Sequence, residues 1–221
     1  MKCIIKLLIT IFIFSFSFSG IITKLNTNDK IIAITFDACE TKTPTFFDKE
    51  LLDFIVKNKI PATLFLSGKF IERNIEDVKS ISQLSFIEIE NHSYSHKDFR
   101  QLSESEILND IIKNDKLITD ITGKKPVFFR FPYGYYDDKS VKIIEEMGYK
   151  IVHWSFESGD PDKNLAKESL IKNVIKNTKE GSILIFHING RGWKTKYALP
   201  EIVDNLTQKG YRFILLKDAI K

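Results

Sequence analysis

The sequence predicts an α/β fold in which parallel strands alternate with helices and form a barrel. Short segments rich in β-branched and aromatic residues alternate about seven times with longer segments of helical periodicity. Residues 31–35 are all β-branched or alanine, which is typical of a strand buried on both faces. Polar side chains follow the strands, while ordinary Lys, Gly and Pro turns precede them. This asymmetry is expected when the carboxyl ends of all strands share one face of a barrel.

Seven strands are predicted in chain order, at residues 31–35, 62–66, 85–89, 127–130, 149–156, 182–186 and 211–215. Helices are predicted between them at residues 45–57, 69–84, 103–121, 138–147, 165–178 and 197–208. Ser103 and Glu106 have the spacing of a capping box, which indicates where the third helix begins. Gly148 has the position of a helix C-cap.

The composition indicates a folded protein that does not bind nucleic acid. The chain has 221 residues, of which 43% are hydrophobic and 28% charged, so it can bury a core and global disorder is excluded. The formal net charge of +4 falls to about +2 when Lys2 and Lys6 are removed with a leader. That charge is small and evenly mixed with acids, unlike the basic surface of a nucleic-acid-binding domain.

The N-terminus is predicted to be a signal peptide over residues 1–19. Lys2 and Lys6 precede an apolar run that ends in small serine residues, so cleavage after residue 19 is expected. The mature protein is then exported to a periplasmic or extracellular location. The alternative is an uncleaved N-terminal anchor, because apolar residues resume at positions 21–22, and only then is contact with a membrane expected.

Six polar residues lie just after predicted strands, and a barrel brings them to one face: Asp37, His92, His96, Arg130, Asp160 and His187. Asp37 is a candidate general base, although it is equally placed to cap the following helix. His187 is a candidate general acid. Cys39 would be the one cysteine of the mature chain, so it forms no internal disulfide; it is either a small buried residue or part of the site.

His92 and His96 are four residues apart, and on a helical turn both imidazoles would lie on one side. This arrangement is common in metal sites, and neutral imidazole suits zinc, iron, cobalt or nickel. A metal-bound water would be a suitable substrate for the base Asp37. The alternative is a pair of surface or core histidines.

Three further residues have supporting roles in this hypothesis. Arg130 either orients Asp37 through an ion pair or is a plain surface arginine. The Pro-Tyr-Gly turn fixes the backbone, so that the N–H of Tyr133 can face an oxyanion. Asp160 either pairs with His187 and keeps it basic or is a turn residue before proline. His153 is interpreted as a partly buried strand histidine.

These residues occur in motifs that resemble the polysaccharide deacetylase (NodB-homology) domain of carbohydrate esterase family 4. The five matching stretches are Thr35-Phe36-Asp37, His92-Ser93-x-x-His96, Arg130-x-Pro132-Tyr133-Gly134, Trp154 through Asp160, and Ile185-x-His187. The resemblance implies a domain over residues 30–218 with a distorted (β/α)7-type barrel. It further implies a divalent metal, most often zinc, and hydrolysis of N-acetyl or O-acetyl groups on peptidoglycan or another acetylated polysaccharide.

By the same resemblance, Asp37 is the base, His187 the acid, and His92 and His96 are metal ligands. The Tyr133 amide contributes to the oxyanion hole, and Arg130 and Asp160 support Asp37 and His187. Tyr133 and Trp154 contact the substrate.

One position departs from the family pattern. The family usually has a second aspartate after the first, as a third metal ligand, and this chain has Ala38. A methyl group is no ligand, and catalytic zinc ordinarily has three protein ligands. The candidates for a substitute are Cys39, Glu40 and Asn91.

The loop at residues 189–194 follows the candidate acid. In it Trp193 is placed to stack on a sugar and Arg191 to contact a carboxylate or lactyl group, unless the loop is simply mobile. Three functions compete. The first is an exported metal-dependent deacetylase, the second a catalytically inactive carbohydrate-binding protein on the same fold, and the third an anchored structural protein of the envelope.

Overall fold

The computed structural model describes residues 20–40, 42–43 and 45–220. The predicted signal peptide at residues 1–19 lies outside the described residues. Within the described part, no helix has both the length and the apolar character needed to cross a membrane.

The described residues form eight strands: β1 (Ile21–Ile22), β2 (Ile31–Ala38), β3 (Ala62–Leu66), β4 (Ile87–Asn91), β5 (Phe128–Phe129), β6 (Lys150–Val152), β7 (Ile183–His187) and β8 (Arg212–Phe213). They also form eight α-helices: α1 (Lys49–Lys57), α2 (Gly68–Arg73), α3 (Ile75–Ile81), α4 (Glu104–Thr122), α5 (Asp138–Glu146), α6 (Lys167–Asn177), α7 (Thr195–Gln208) and α8 (Leu216–Ala219). Single 3-10 turns are present at Phe99–Gln101 and Pro132–Gly134.

The strands form one curled parallel sheet in the order β1-β6-β5-β4-β3-β2-β7, with β8 beside the start of β2. Consecutive strands from β2 to β6 are neighbours, as helical crossovers produce. The ends of the sheet meet through isolated bridges, one from Phe156 to Leu184 and one from Lys24 to Ser182. The predicted distorted α/β barrel is therefore confirmed.

Strand β2 is the centre of this arrangement, because it pairs with β3, β7 and β8. Its residues Ile32, Ile34, Phe36 and Ala38 pack in the apolar cluster shared with the helices. Ala33 packs in a second cluster inside the curl, and the alternation places Thr35 and Asp37 on that inner face. Apolar contacts on both faces explain why the sequence of β2 is almost continuously apolar.

The predicted helix at residues 69–84 is wrong in one respect, because Asn74 divides it into α2 and α3. The Asn74 side chain donates to the carbonyls of Phe70 (2.8 Å) and Thr45 (3.1 Å) and accepts from the Phe47 N–H (3.3 Å). These bonds join the preceding loop to the helix layer and compete with the helical backbone bonds at this position.

Other predicted boundaries also differ, two of them by four residues. Helix α1 begins at Lys49, because the side chain of Asp48 caps it by accepting from the Leu51 N–H at 3.3 Å. The strand predicted at 149–156 is regular only over Lys150–Val152, after which the chain turns towards the candidate site.

Strand β1 was not predicted as a strand. Ile21 and Ile22 pair in parallel with Ile151 and Val152 of β6, ahead of the predicted domain boundary at residue 30. A two-residue strand has no periodicity that a sequence pattern can reveal.

Candidate active site

The carboxyl ends of the parallel strands surround one cavity of about 220 Å³. Six of the predicted site residues line it: Asp37, His92, His96, Tyr133, Trp154 and His187. Arg130 and Asp160 lie behind this lining, where each contacts one of the lining residues. Trp193 is 54% exposed and is not among the lining residues, so the structure does not bring it into the cavity.

Asp37 forms a buried ion pair with Arg130. The Arg130 Nη1 donates to the Asp37 Oδ1 at 2.7 Å, and both side chains are removed from solvent. Burial alone raises the pKa of the Asp37 carboxyl, but the charge of Arg130, with smaller contributions from His92 and His187, outweighs it and lowers the pKa below its usual value. Asp37 is therefore a carboxylate at neutral pH. The alternative in which it caps a helix is wrong, because Asp48 has that role.

Arg130 is fixed on every side and is not a surface arginine. Its Nε donates to the Val152 carbonyl at 3.2 Å and its Nη2 to the His153 carbonyl at 3.1 Å. Nη1 also donates to the Thr35 hydroxyl at 2.9 Å, and the guanidinium lies 4.0 Å from the ring centre of Phe65. These bonds hold the guanidinium in one orientation, so the position of the Asp37 carboxylate is set before any ligand binds.

The backbone carbonyl of Arg130 also fixes the orientation of His92. Its Nδ1 lies 2.8 Å from the Arg130 carbonyl, which only accepts, so Nδ1 carries the proton. The Nε2 lone pair then faces the Asp37 Oδ2 at 3.6 Å. Burial lowers the pKa of His92, which keeps the imidazole neutral and suited to binding a metal.

The prediction that a helical turn carries His92 and His96 is wrong. The chain leaves β4 as a loop in which Ser93 (φ 65°) and His96 (φ 53°) have left-handed backbone conformations. The Asn91 Oδ1 accepts from the Ser93 N–H at 2.8 Å, and the Ser93 Oγ accepts from the His96 N–H at 3.0 Å. This turn brings the two imidazole centres to 4.9 Å, so the predicted pairing is reached through a different local structure.

His96 has an unusual environment. Its Nδ1 is buried without a hydrogen-bond partner among the described residues. Burial, together with the charge of His92, lowers the pKa of His96 to about 2. A neutral buried imidazole with an orphaned nitrogen is the kind of group that a bound metal or ligand would satisfy.

The donor set fits a metal only in part. Two neutral imidazoles are suitable ligands, but the described residues include no set of three His, Cys, Asp or Glu side chains placed to hold a metal together. Ala38 is fully buried in the apolar cluster and supplies no oxygen. The site therefore does not fit a metal held by three protein ligands.

The three predicted substitutes do not complete the set. Glu40 is bound by Arg73 through two contacts of 3.1 Å, away from the cavity. The Asn91 side chain is occupied by Asn114, Asp115 and the Ser93 turn. Cys39 lines the cavity, but burial raises the pKa of its thiol, which keeps it protonated.

His187 is held by Asp160 in the second polar pair. The His187 Nδ1 lies 3.0 Å from the Asp160 Oδ1, and its backbone N–H donates to Oδ2 at 2.7 Å. Thr195 and Ser158 donate to the same carboxylate at 2.9 and 3.2 Å. Burial lowers the pKa of His187, but Asp160 and Asp37 outweigh it, so the net pKa is raised and the imidazole is suited to donating a proton.

The Pro-Tyr-Gly turn has a strained residue at its centre. Tyr133 has φ 60° and ψ 1°, a left-handed conformation that is uncommon for a residue with a side chain. Its amide donates to no protein acceptor in the described part of the chain, and its ring lies 4.5 Å from that of His96. Gly134 is required beside it, because a Cβ there would lie 2.5 Å from Trp154 and 2.7 Å from His153. The turn therefore presents an available N–H at the cavity wall.

Sequence reasoning missed several parts of the cavity wall. Tyr135, Glu157, Pro161 and Ile185 line it, and none of them was given a role in the site, although Glu157 and Ile185 lie within the fourth and fifth matching motifs. Glu157 accepts from the Trp154 Nε1 at 2.9 Å and so fixes the indole. Tyr135 directly follows the third motif, and its aromatic character is the one signal in the sequence that marks it.

A family model for polysaccharide deacetylase matches residues 24–152. A peptidoglycan-N-acetylglucosamine deacetylase of Bacillus cereus is 35% identical over 196 residues, covering 88% of this chain and 90% of the relative.

Two solved structures bear on the site. The Bc1960 peptidoglycan N-acetylglucosamine deacetylase, in complex with 4-naphthalen-1-yl-N-oxidanyl-benzamide, is 29% identical with a TM-score of 0.82, covering 90% of this chain and 92% of that one. A mutant of BA3943, described as a CE4 family pseudoenzyme with restored enzymatic activity, is 25% identical with a TM-score of 0.79, covering 91% and 71%.

Proposed function

The chain belongs to the polysaccharide deacetylase family, and from that premise we propose that it is an exported hydrolase that removes N-acetyl groups from peptidoglycan or a related acetylated glycan. The observation that carries the proposal is the pairing of Asp37 with His187. They are register partners on neighbouring parallel strands, and both line the same cavity. One is a carboxylate at neutral pH, and the other has a raised pKa.

The chemistry of amide hydrolysis assigns a step to each group. Asp37 accepts a proton from water as the water oxygen attacks the acetyl carbonyl carbon. The carbonyl oxygen then carries negative charge, which the Tyr133 N–H stabilises. His187 donates a proton to the amide nitrogen as the carbon–nitrogen bond breaks, leaving acetate and the free amine.

Arg130 and Asp160 act through these two residues. Arg130 keeps Asp37 ionised and fixes its direction. Asp160 fixes the ring of His187 and raises its pKa. The Arg130–Asp37 pair therefore supplies the base and the Asp160–His187 pair the acid, because the pKa of Asp37 is lowered and the pKa of His187 is raised.

A divalent metal, most often zinc in this family, is part of the proposal. His92 and His96 are the residues that would hold it, and a bound divalent cation lowers the pKa of water. Because the third protein ligand is missing, we expect weaker metal binding than a three-ligand site gives.

The direct test is deacetylation of N-acetylglucosamine oligomers and of purified peptidoglycan by the full chain, with release of acetate as the readout. The assay is run as isolated, after chelation, and after addition of zinc, cobalt, nickel or iron. Release of acetate that falls on chelation and returns with metal supports the proposal. Absence of acetate with every metal and both substrates contradicts it.

The runner-up is a catalytically inactive carbohydrate-binding protein. Ala38 favours it, since the second carboxylate is replaced by a buried methyl group. The similarity to the BA3943 mutant, which is described as a pseudoenzyme with restored enzymatic activity, also supports this alternative. Binding of the same oligomers without any acetate release, even with added metal, would select it.

Export is also a proposal. It is supported by the lysines and apolar run of the leader, and by Ile21 and Ile22, which pair with β6 directly after the predicted cleavage point. N-terminal sequencing of the protein recovered outside the cell should begin near Gly20. Recovery of the intact chain in the membrane fraction would instead favour the anchored structural protein.

A further inference from the structure

Arg191 is a cation at the cavity that none of the steps above uses. It lies on the loop after β7 and lines the cavity together with the Asp37–His187 pair. Its Nη1 lies 3.7 Å from the Cys39 Sγ, so the guanidinium reaches over the cavity wall.

The structure gives Arg191 no carboxylate partner within the described residues, and no ion pair there includes it. Every acidic side chain around the cavity already has a different partner. Asp37 is bound by Arg130 at 2.7 Å, Asp160 lies 3.0 Å from His187, and Glu157 accepts from Trp154 at 2.9 Å. Cys39 provides no negative charge either, because burial raises the pKa of its thiol.

The loop that carries Arg191 is tied to the site rather than loosely attached. The Arg191 N–H donates to the Asn189 Oδ1 at 3.4 Å, and the Asn189 Nδ2 donates to the Cys39 carbonyl at 2.7 Å. On the other side, a Cβ at Gly192 would lie 2.5 Å from the His187 carbonyl and 2.7 Å from the Asp160 Oδ2. The loop therefore packs directly against His187 and Asp160, and Arg191 is held beside His187.

We propose that Arg191 binds a carboxylate of the substrate, so that the preferred glycan carries an acidic group on or next to the acetylated amino sugar. The inference rests on the proposed deacetylase function and narrows its substrate class. A guanidinium matches a carboxylate through two parallel N–H···O bonds, which a neutral hydroxyl does not offer. The lactyl ether of N-acetylmuramic acid and a neighbouring uronic acid are the two sources of such a group.

The experiment compares four oligosaccharides of similar length. The first contains N-acetylmuramic acid with its lactyl carboxylate free, and the second is the same sugar with that carboxylate amidated. The third alternates N-acetylglucosamine with glucuronic acid, and the fourth is neutral tetra-N-acetylchitotetraose. Rates of acetate release and binding by titration calorimetry are measured for the wild type, Arg191→Ala and Lys194→Ala. Lys194 lies on the same loop and is not among the residues that line the cavity, so its variant controls for lost charge.

The wild type should favour one of the acidic oligomers over its neutral counterpart by about ten- to a hundredfold in kcat/KM. This is the size expected for hydrogen bonds to a charged group. Arg191→Ala should lose that preference and keep its rate on the neutral oligomer, while Lys194→Ala keeps both. Which acidic oligomer is preferred identifies the source of the carboxylate. Equal rates on acidic and neutral oligomers, or an equal loss on both in Arg191→Ala, would overturn the inference.

Failure of the proposed function gives a different result. If no oligomer releases acetate, the affinities measured by titration calorimetry alone test the role of Arg191. Tighter binding of an acidic oligomer that is lost in Arg191→Ala supports the role of Arg191 in a binding protein. Equal affinities for acidic and neutral oligomers, or no binding of any oligomer, would overturn the inference.

Discussion

Asp37 and His187 lie directly opposite each other in the parallel pairing of β2 with β7, although 150 positions separate them in the sequence. Neighbouring strands are about 4.8 Å apart. The base and the acid of the proposed reaction therefore lie side by side on two adjacent and largely buried strands of the sheet. Each is held from behind by its own partner, Arg130 or Asp160. The sheet register, rather than a flexible loop, sets the distance between the two groups.

Replacement of either member should slow hydrolysis without unfolding the chain. We expect Asp37→Asn and His187→Ala each to lower kcat by about 10²–10⁴-fold, the usual contribution of one positioned proton-transfer group. Asn keeps the size of Asp37 and can still accept from Arg130. Kinetics on the preferred oligomer, with circular dichroism as a check on folding, measure the effect. Asp53→Asn on the exposed face of α1 is the matched control, and a rate that survives Asp37→Asn would show that the base is misassigned.

The sequence predicted these residues because strand ends are easy to recognise. The strand at residues 62–66 has the predicted boundaries, and four of the six polar residues after the strands line one cavity, with Arg130 and Asp160 directly behind them. The register of β2 with β7 was beyond sequence reasoning, because the pairing joins segments far apart in the chain. Tertiary contacts also decided the break at Asn74 and the left-handed turn that carries His92 and His96. The break depends on bonds from Asn74 to the distant Thr45 and Phe47. The turn combines local bonds at Asn91 and Ser93 with bonds from the N–H groups of Tyr94 and Ser95 to Asp110. Helix propensity alone therefore indicates neither feature.

Asp160→Asn should move the alkaline limb of the activity profile to lower pH. A proton donor works only while protonated, so kcat/KM falls as pH rises through the pKa of His187. Burial lowers that pKa and Asp160 raises it, with a net value above the ordinary 6.5. Without the Asp160 charge, the effect of burial dominates and the limb should move towards or below pH 6.5. The profile of kcat/KM measures this, with Asp162→Asn on the same loop as the control, and an unmoved limb would refute the role of Asp160.

The pairing of His187 with Asp160 also affects the stability of the fold. Because the folded state raises the pKa of His187, the pair stabilises the fold below the unfolded-state pKa, and this contribution is lost as pH rises through the folded-state value. The difference in Tm between wild type and Asp160→Asn should therefore shrink at alkaline pH. Thermal unfolding at several pH values measures it, and a difference independent of pH would contradict the linkage.

Arg130→Met should destabilise the fold strongly. Removal of one partner leaves the Asp37 carboxylate buried and unpaired, which typically costs about 3–5 kcal/mol. Arg130→Lys should recover only part of the loss, because an ammonium cannot also reach the carbonyls of Val152 and His153 that the guanidinium binds. Urea unfolding at pH 7 measures the free energy, and the exposed Arg73→Met, which breaks a surface pair with Glu40, is the control.

The pH dependence of this loss has a defined sign. The pKa of Asp37 is lowered by folding, so the pair stabilises the protein above the ordinary value of 3.8 and loses its effect as pH falls through the folded-state pKa. The cost of Arg130→Met should therefore be largest near neutral pH and smallest in strong acid. A cost that stays constant down to acid unfolding would show that Arg130 contributes through packing alone.

Metal binding should depend on both histidines and respond to a carboxylate at position 38. The two neutral imidazoles are the suitable ligands at the cavity, and Ala38 supplies none. We expect His92→Ala and His96→Ala each to remove most bound metal, since a single remaining imidazole is a weak site. We expect Ala38→Asp to raise the metal content after dialysis against limiting zinc. In the metal-free protein it should lower Tm, because the unligated carboxylate would be buried beside apolar side chains. Metal analysis by mass spectrometry and thermal unfolding give both readouts independently of activity. Ala38→Asn, which has the same size without the charge, is the matched control; unchanged metal content in both histidine variants would remove the metal from the proposal.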